Sequence, residues 1–149
     1  MGIKLLAKEF HNPIFSIYGF VRFADEIVDT FFGYPQRDLM IDFEKQTYQA
    51  IENKISTNPI LHSFQAVVNK YNIENELIDS FLKSMKMDLL EIKYSKELYE
   101  EYVFGSAEVV GLMCLRVFTE GRDSEYQSLK PYAMKLGSAF QKVNFLRDL

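Results

Sequence analysis

Asp25, Glu26 and Asp29 sit in the segment YGFVRFADEIVD, residues 18–29, among Phe20, Val21, Phe23, Ile27 and Val28. On an α-helix each residue turns about 100° from the last, so Tyr18, Arg22, Asp25 and Asp29 share one narrow stripe. Two carboxylates one turn apart repel, and in a dry interior they need a compensating cation. Two readings follow. The stripe is either a solvated acidic face, with Arg22 paired to Asp25 or Glu26, or a pocket wall where carboxylates and a diphosphate share a hard divalent cation such as Mg²⁺. Large apolar residues on both sides of the stripe favour the wall.

LGSAFQKVNFLRDL repeats the pattern near the C-terminus, with Gly137, Gln141, Asn144 and Asp148 spaced four, three and four apart. Taken alone, this second stripe fits an interhelical polar network as well as a row of oxygen ligands. Between the two lies YVFGSAEVVGLMCLRVF, residues 102–118, where Gly105, Ser106, Ala107 and Gly111 put small residues inside a helix. Each Gly there costs up to about 1 kcal/mol relative to Ala. The cost is accounted for by a closely crossing helix or by space left for a long apolar ligand, with the Tyr102 phenol at its mouth. His11 and His62 have no partner at ligand spacing, and no Ser-His-Asp set or Gly-rich phosphate loop supports other chemistries.

Apolar residues recur at helical spacing almost throughout, and no segment alternates with period two, so the chain reads as all-α. Helices are expected near 12–31, 37–55, 59–71, 74–87, 96–119 and 124–149, in a single domain, 1–149. Gly33 with Pro35, Asn58 with Pro59, and Gly121 supply the stops and caps, and the short loops imply antiparallel neighbours. The net charge of −4, without a basic cluster, leaves no footprint for nucleic acid. A single cysteine, Cys114, excludes a disulfide framework and fits a reducing, cytoplasmic setting as a small buried hydrophobe. No apolar run approaches the roughly 20 residues of a membrane span.

In order and separation, YGFVRFADEIVD, MKMDL, YVFGSAEVVGLM and LGSAFQKVNFLRD resemble the motifs of the squalene/phytoene synthase family, over essentially the whole chain. The Asp-Glu-x-x-Asp form of the first motif is more similar to the phytoene synthases. The resemblance implies an isoprenoid synthase helical fold and head-to-head condensation of two prenyl diphosphates, geranylgeranyl diphosphate giving phytoene. Farnesyl diphosphate giving dehydrosqualene or squalene is the runner-up, with NADPH needed for squalene alone, and a non-catalytic assembly protein is the rival outside enzymes. It implies further that Asp25, Asp29 and Asp148 bind Mg²⁺, or Mn²⁺ in its place. Arg22 would contact diphosphate, Gln141 and Asn144 would line the site, and Tyr18 and Tyr102 would stand near the reacting carbons. Ser106, Ala107, Val110 and Gly111 match the small-residue wall of the prenyl channel. Glu108 departs from that wall, where the family has a small residue. The family's upstream flap, its C-terminal helices and the second acid of its second motif have no counterpart here, so the chain alone is expected to be weak or inactive. Lipid products imply peripheral contact with a membrane, while oligomeric state is left open.

Overall fold

The computed structural model describes residues 5–90 and 93–147, with the side chains of 140 and 142–147 excepted. All regular structure among them is helical: a 3₁₀ turn at Lys8–Phe10, then α1 (His11–Asp29), α2 (Gln36–Asn53), α3 (Pro59–Tyr71), α4 (Asn75–Asp88), α5 (Lys96–Val103), α6 (Val109–Phe118) and α7 (Asp123–Arg147). The expected helices stand within a few residues of their places. One differs in kind, because Phe104–Glu108 between α5 and α6 is a π turn in which Val109 N–H reaches back five residues to Phe104 O.

Contacts divide the chain into two compact units, Met1–Ile73 and Glu74–Leu149. In the first, α1, α2 and α3 pack on one another. Their core is aromatic: the Phe20 ring stacks on Phe64 at 3.9 Å between centroids and on Phe43 at 5.5 Å, and Phe23 stacks on Phe43 at 4.9 Å. Such pairs contribute about 0.5–1.5 kcal/mol each beyond their burial. The ends are set locally. The Asn58 side chain accepts from Ile60 N–H at 3.0 Å and caps α3, with Pro59 in its first turn. Gln36 Nε2 donates to the Ile27 and Val28 carbonyls, both at 2.9 Å, capping the end of α1 from the next helix.

In the second unit α4, α5, α6, the π turn and α7 pack together. Arg116 of α6 is 6% exposed, lies with its guanidinium 3.5 Å above the Tyr126 ring, and pairs with Glu74 and with Asp123, the latter at 3.1 Å. Tyr126 donates to Glu74 at 3.0 Å, so four polar groups from three segments satisfy one another. Gly121, at φ 74°, ends the turn after α6 and donates its N–H to Arg116 O at 3.0 Å. Cys114 is half-buried rather than fully enclosed, and burial of its sulfur pushes the thiol up to about 11.

Candidate functional site

Alternation of burial along α1 creates the first stripe. Ile14, Ile17, Phe20, Ala24, Ile27 and Val28 are buried, which leaves Tyr18, Arg22 and Asp29 exposed and Asp25 half-buried on the other side. The structure therefore keeps Tyr18, Arg22, Asp25 and Asp29 on one face, and that face is open: Tyr18 is 57% exposed. Arg22 lies 2.7 Å from Glu26 in an i,i+4 ion pair, and Thr30 Oγ1 donates to the same carboxylate at 2.9 Å. Glu26, at the edge of the stripe, thus takes the arginine. Among the described residues no three His, Cys, Asp or Glu gather as a metal cage. The carboxylates of Asp25 and Asp29 still match what Mg²⁺ takes from proteins, one or two hard oxygen ligands with phosphate and water completing the shell.

The second group lies around α5. Tyr102 donates its hydroxyl to Asp88 Oδ2, at the end of α4, at 3.1 Å. Its ring lies 5.5 Å from that of Tyr94, tilted by 50°. Burial, reinforced by the Asp88 charge and a hydrogen bond to Asp88, raises the Tyr94 phenol above its ordinary range. Sequence reading placed Tyr102 in the site and gave Asp88 and Tyr94 no role. Helical periodicity relates residues of one helix, and Asp88 and Tyr102 lie on two.

Ser106 and Ala107 fall on the π turn, and Val110 and Gly111 on α6. The small residues have steric reasons. A Cβ on Gly105 would overlap Ser84 Oγ and Ser80 O of α4, and one on Gly137 would stand 3.1 Å from Ala107 O. Gly111 is looser, with Ala133 O at 3.6 Å from its would-be Cβ. Close helix crossing therefore explains Gly105 and Gly137. Among the described residues, Ser106 Oγ is the buried side-chain polar atom left without a hydrogen-bond partner, a place where a ligand atom would satisfy it.

On α7, Gln127, Lys130, Met134 and Ser138 line a groove of about 700 Å³ with Glu108 and Lys135. Gln141 is half-buried two turns beyond Met134 on the same helix face. Asn144 lies on α7 with its side chain outside the described set, and Asp148 lies outside the described residues.

The regular structure among the described residues is all helical, and the chain has the isoprenoid synthase helical fold. It matches a crystal structure of a dehydrosqualene synthase in complex with ligand at a TM-score of 0.79 and 23% identity, over 97% of this chain and 49% of that one. The chain belongs to the squalene/phytoene synthase family, whose model matches residues 1–149. It is 27% identical to phytoene synthase 2 of Oryza sativa subsp. japonica over 154 residues, and 28% identical to presqualene diphosphate synthase of Sinorhizobium fredii over 154 residues. In both alignments all of this chain is covered, against 38% and 52% of the relatives' lengths. No helix among the described residues is long and apolar enough to cross a membrane.

Proposed function

We propose that this chain supplies the first aspartate-rich motif and the prenyl-facing helices of a Mg²⁺-dependent, head-to-head prenyl synthase, with two geranylgeranyl diphosphates giving phytoene. The observation that carries the reading is the stripe of Tyr18, Arg22, Asp25 and Asp29 on one open face of α1, in a chain matched throughout by the family. Asp25 and Asp29 would hold Mg²⁺, with Asp148 from the second motif. When bound, the ion supplies positive charge that stabilises a departing diphosphate. Arg22 adds charge complementary to the same anion. The allylic cation must then be kept from water and met by aromatic ring faces, a role that the resemblance implies for Tyr18 and for Tyr102. Joining two prenyl units releases two diphosphates and two protons, through a cyclopropylcarbinyl diphosphate. Squalene as product would instead require a hydride donor, NADPH, in place of the second proton loss.

Farnesyl diphosphate as substrate is the second reading. It is favoured by an identity to presqualene diphosphate synthase, 28%, as high as that to phytoene synthase 2, 27%.

Because the chain spans 38% of that phytoene synthase, binding decides before turnover does. The chain is titrated with geranylgeranyl and farnesyl thiolodiphosphates, with and without Mg²⁺, and is expected to bind in a Mg²⁺-dependent way. Asp25→Asn or Asp29→Asn should weaken that binding by about tenfold or more, the loss of a charge-assisted contact. Equal affinity in native and both variants would remove the metal role assigned to these residues. Product analysis by mass, with and without NADPH, then separates phytoene, dehydrosqualene and squalene.

A further inference from the structure

We propose that the groove along α7 binds an amphiphile with one apolar chain and an anionic head, held by Lys130 and Lys135 without a metal ion. The groove belongs wholly to the Glu74–Leu149 unit, encloses about 700 Å³, and has Pro131, Met134 and Ser138 along its α7 wall. Sites for small ligands range from about 300 to 1,000 Å³ and are mostly apolar with a few placed polar groups, which is the character of this one. The inference does not rest on the function proposed above.

Charge selects the occupant. By helical rotation Lys130 and Lys135 lie about 140° apart around α7, and Pro131, Met134 and Ser138 fall between them, so one lysine stands on each flank of the strip. Among the described residues neither lysine forms an ion pair. The Lys130 ammonium lies 5.9 Å from the centre of the Tyr126 ring, a contact that steadies it without cancelling its charge. Lysine stems lie along apolar surface while their ammonium groups stay in water, so both can follow a bound chain and meet its head. Glu108, the acid in the lining, has a partner of its own and stands where α7 crosses the π turn, its Cα 3.2 Å from where a Cβ on Gly137 would be. Both lysines precede that crossing along α7. The head therefore belongs at the Lys130 end, and the chain runs toward Ser138 over a helical rise of about 12 Å.

The test uses the full chain with methionine ¹³C-labelled at its methyl group, and Met134→Leu to assign the Met134 resonance. Decanoate, decyl phosphate, decanol and decyltrimethylammonium are titrated below their micelle concentrations, with inorganic phosphate as the head alone. Decanoate and decyl phosphate are expected to shift the Met134 methyl saturably and to bind about tenfold more tightly than decanol, and the tighter of the two identifies the head as carboxylate or phosphate. Lys130→Gln and Lys135→Gln should each weaken the two anions by about two- to fivefold, the size of an exposed ion pair, and leave decanol unchanged. Mg²⁺-dependent binding of the thiolodiphosphates should not change in either variant. An unmoved Met134 methyl, decanol or decyltrimethylammonium bound as tightly as decanoate, or inorganic phosphate bound as tightly as decyl phosphate overturns the proposal. A parallel loss of thiolodiphosphate binding in the lysine variants would merge the groove with the substrate site and overturn it as a site of its own. A chain that binds the decyl anions but no thiolodiphosphate would sink the synthase reading and leave this inference standing.

Discussion

Arg22 is the residue where the sequence offered two readings and the structure shows parts of both. It is paired with Glu26 at 2.7 Å, as a solvated helix face would have it, yet it shares its stripe with both aspartates of the proposed metal site. Magnitude decides which role is available. Arg22 has a side-chain exposure of 61%, and an exposed i,i+4 pair contributes only about 0.3–0.5 kcal/mol, so an arriving diphosphate can recruit the guanidinium at little cost. Glu26→Gln is accordingly expected to change stability by no more than about 0.5 kcal/mol in urea unfolding, while tightening Mg²⁺-pyrophosphate a few-fold. Unchanged or weaker binding would mean that Arg22 does not reach the anion. The stripe was legible because helical geometry alone assembles it. Asp88 with Tyr102, and Arg116 with Glu74, were not, because separations of 14 and 42 residues are closed by tertiary packing that no local period encodes.

At the scale of elements, the glycines near the π turn separate two causes that the sequence left joined. Gly105 is set against α4 with no room for a methyl group, whereas Gly111 has ordinary contact space before Ala133. Gly105→Ala should therefore destabilise the fold by about 1–3 kcal/mol, through displacement of α4 or of the turn. Gly111→Ala should be neutral or stabilising by up to about 1 kcal/mol, because alanine is the better helix former. If Gly111 also lines the prenyl channel, the same variant weakens the thiolodiphosphate probes without loss of stability. Thermal and denaturant unfolding of the two variants side by side is the check, and equal destabilisation would contradict the packing difference. The helices and the caps at Asn58–Pro59 and Gly121 were readable in the sequence, whereas the left-handed ends at Lys54 and Asn72 and the Ser95 cap of α5 were not. The π turn was not, because FGSAE carries no signal distinguishing a five-residue hydrogen bond from a four-residue one.

Across the whole molecule, the pH response follows from which groups change their proton affinity on folding. Cys114 is raised from 9.0 to about 11 by burial, and Tyr94 and Tyr126 are raised as well, first by burial and then by their neighbouring carboxylates, Asp88 and Glu74. All three are neutral acids in both states well below pH 9, so their contribution is complete there. Between about 9 and 11 the unfolded chain releases the Cys114 proton while the folded chain keeps it, and stability must fall as pH rises through that window. Asp123 acts in the opposite direction. Its carboxyl is lowered by the hydrogen bond from Arg116, so its contribution holds above the usual carboxylate range and is lost in acid. Since all four groups lie in the Glu74–Leu149 unit, the readout belongs to that unit's helices. Hydrogen-exchange protection of α6 amides, corrected for intrinsic rates, is expected to be level from pH 6 to about 8.5 and to decline above 9. Cys114→Ala should decline less steeply than the native chain over the same interval. Parallel slopes would show that the shielded thiol contributes nothing to the alkaline limb, leaving it to the two phenols.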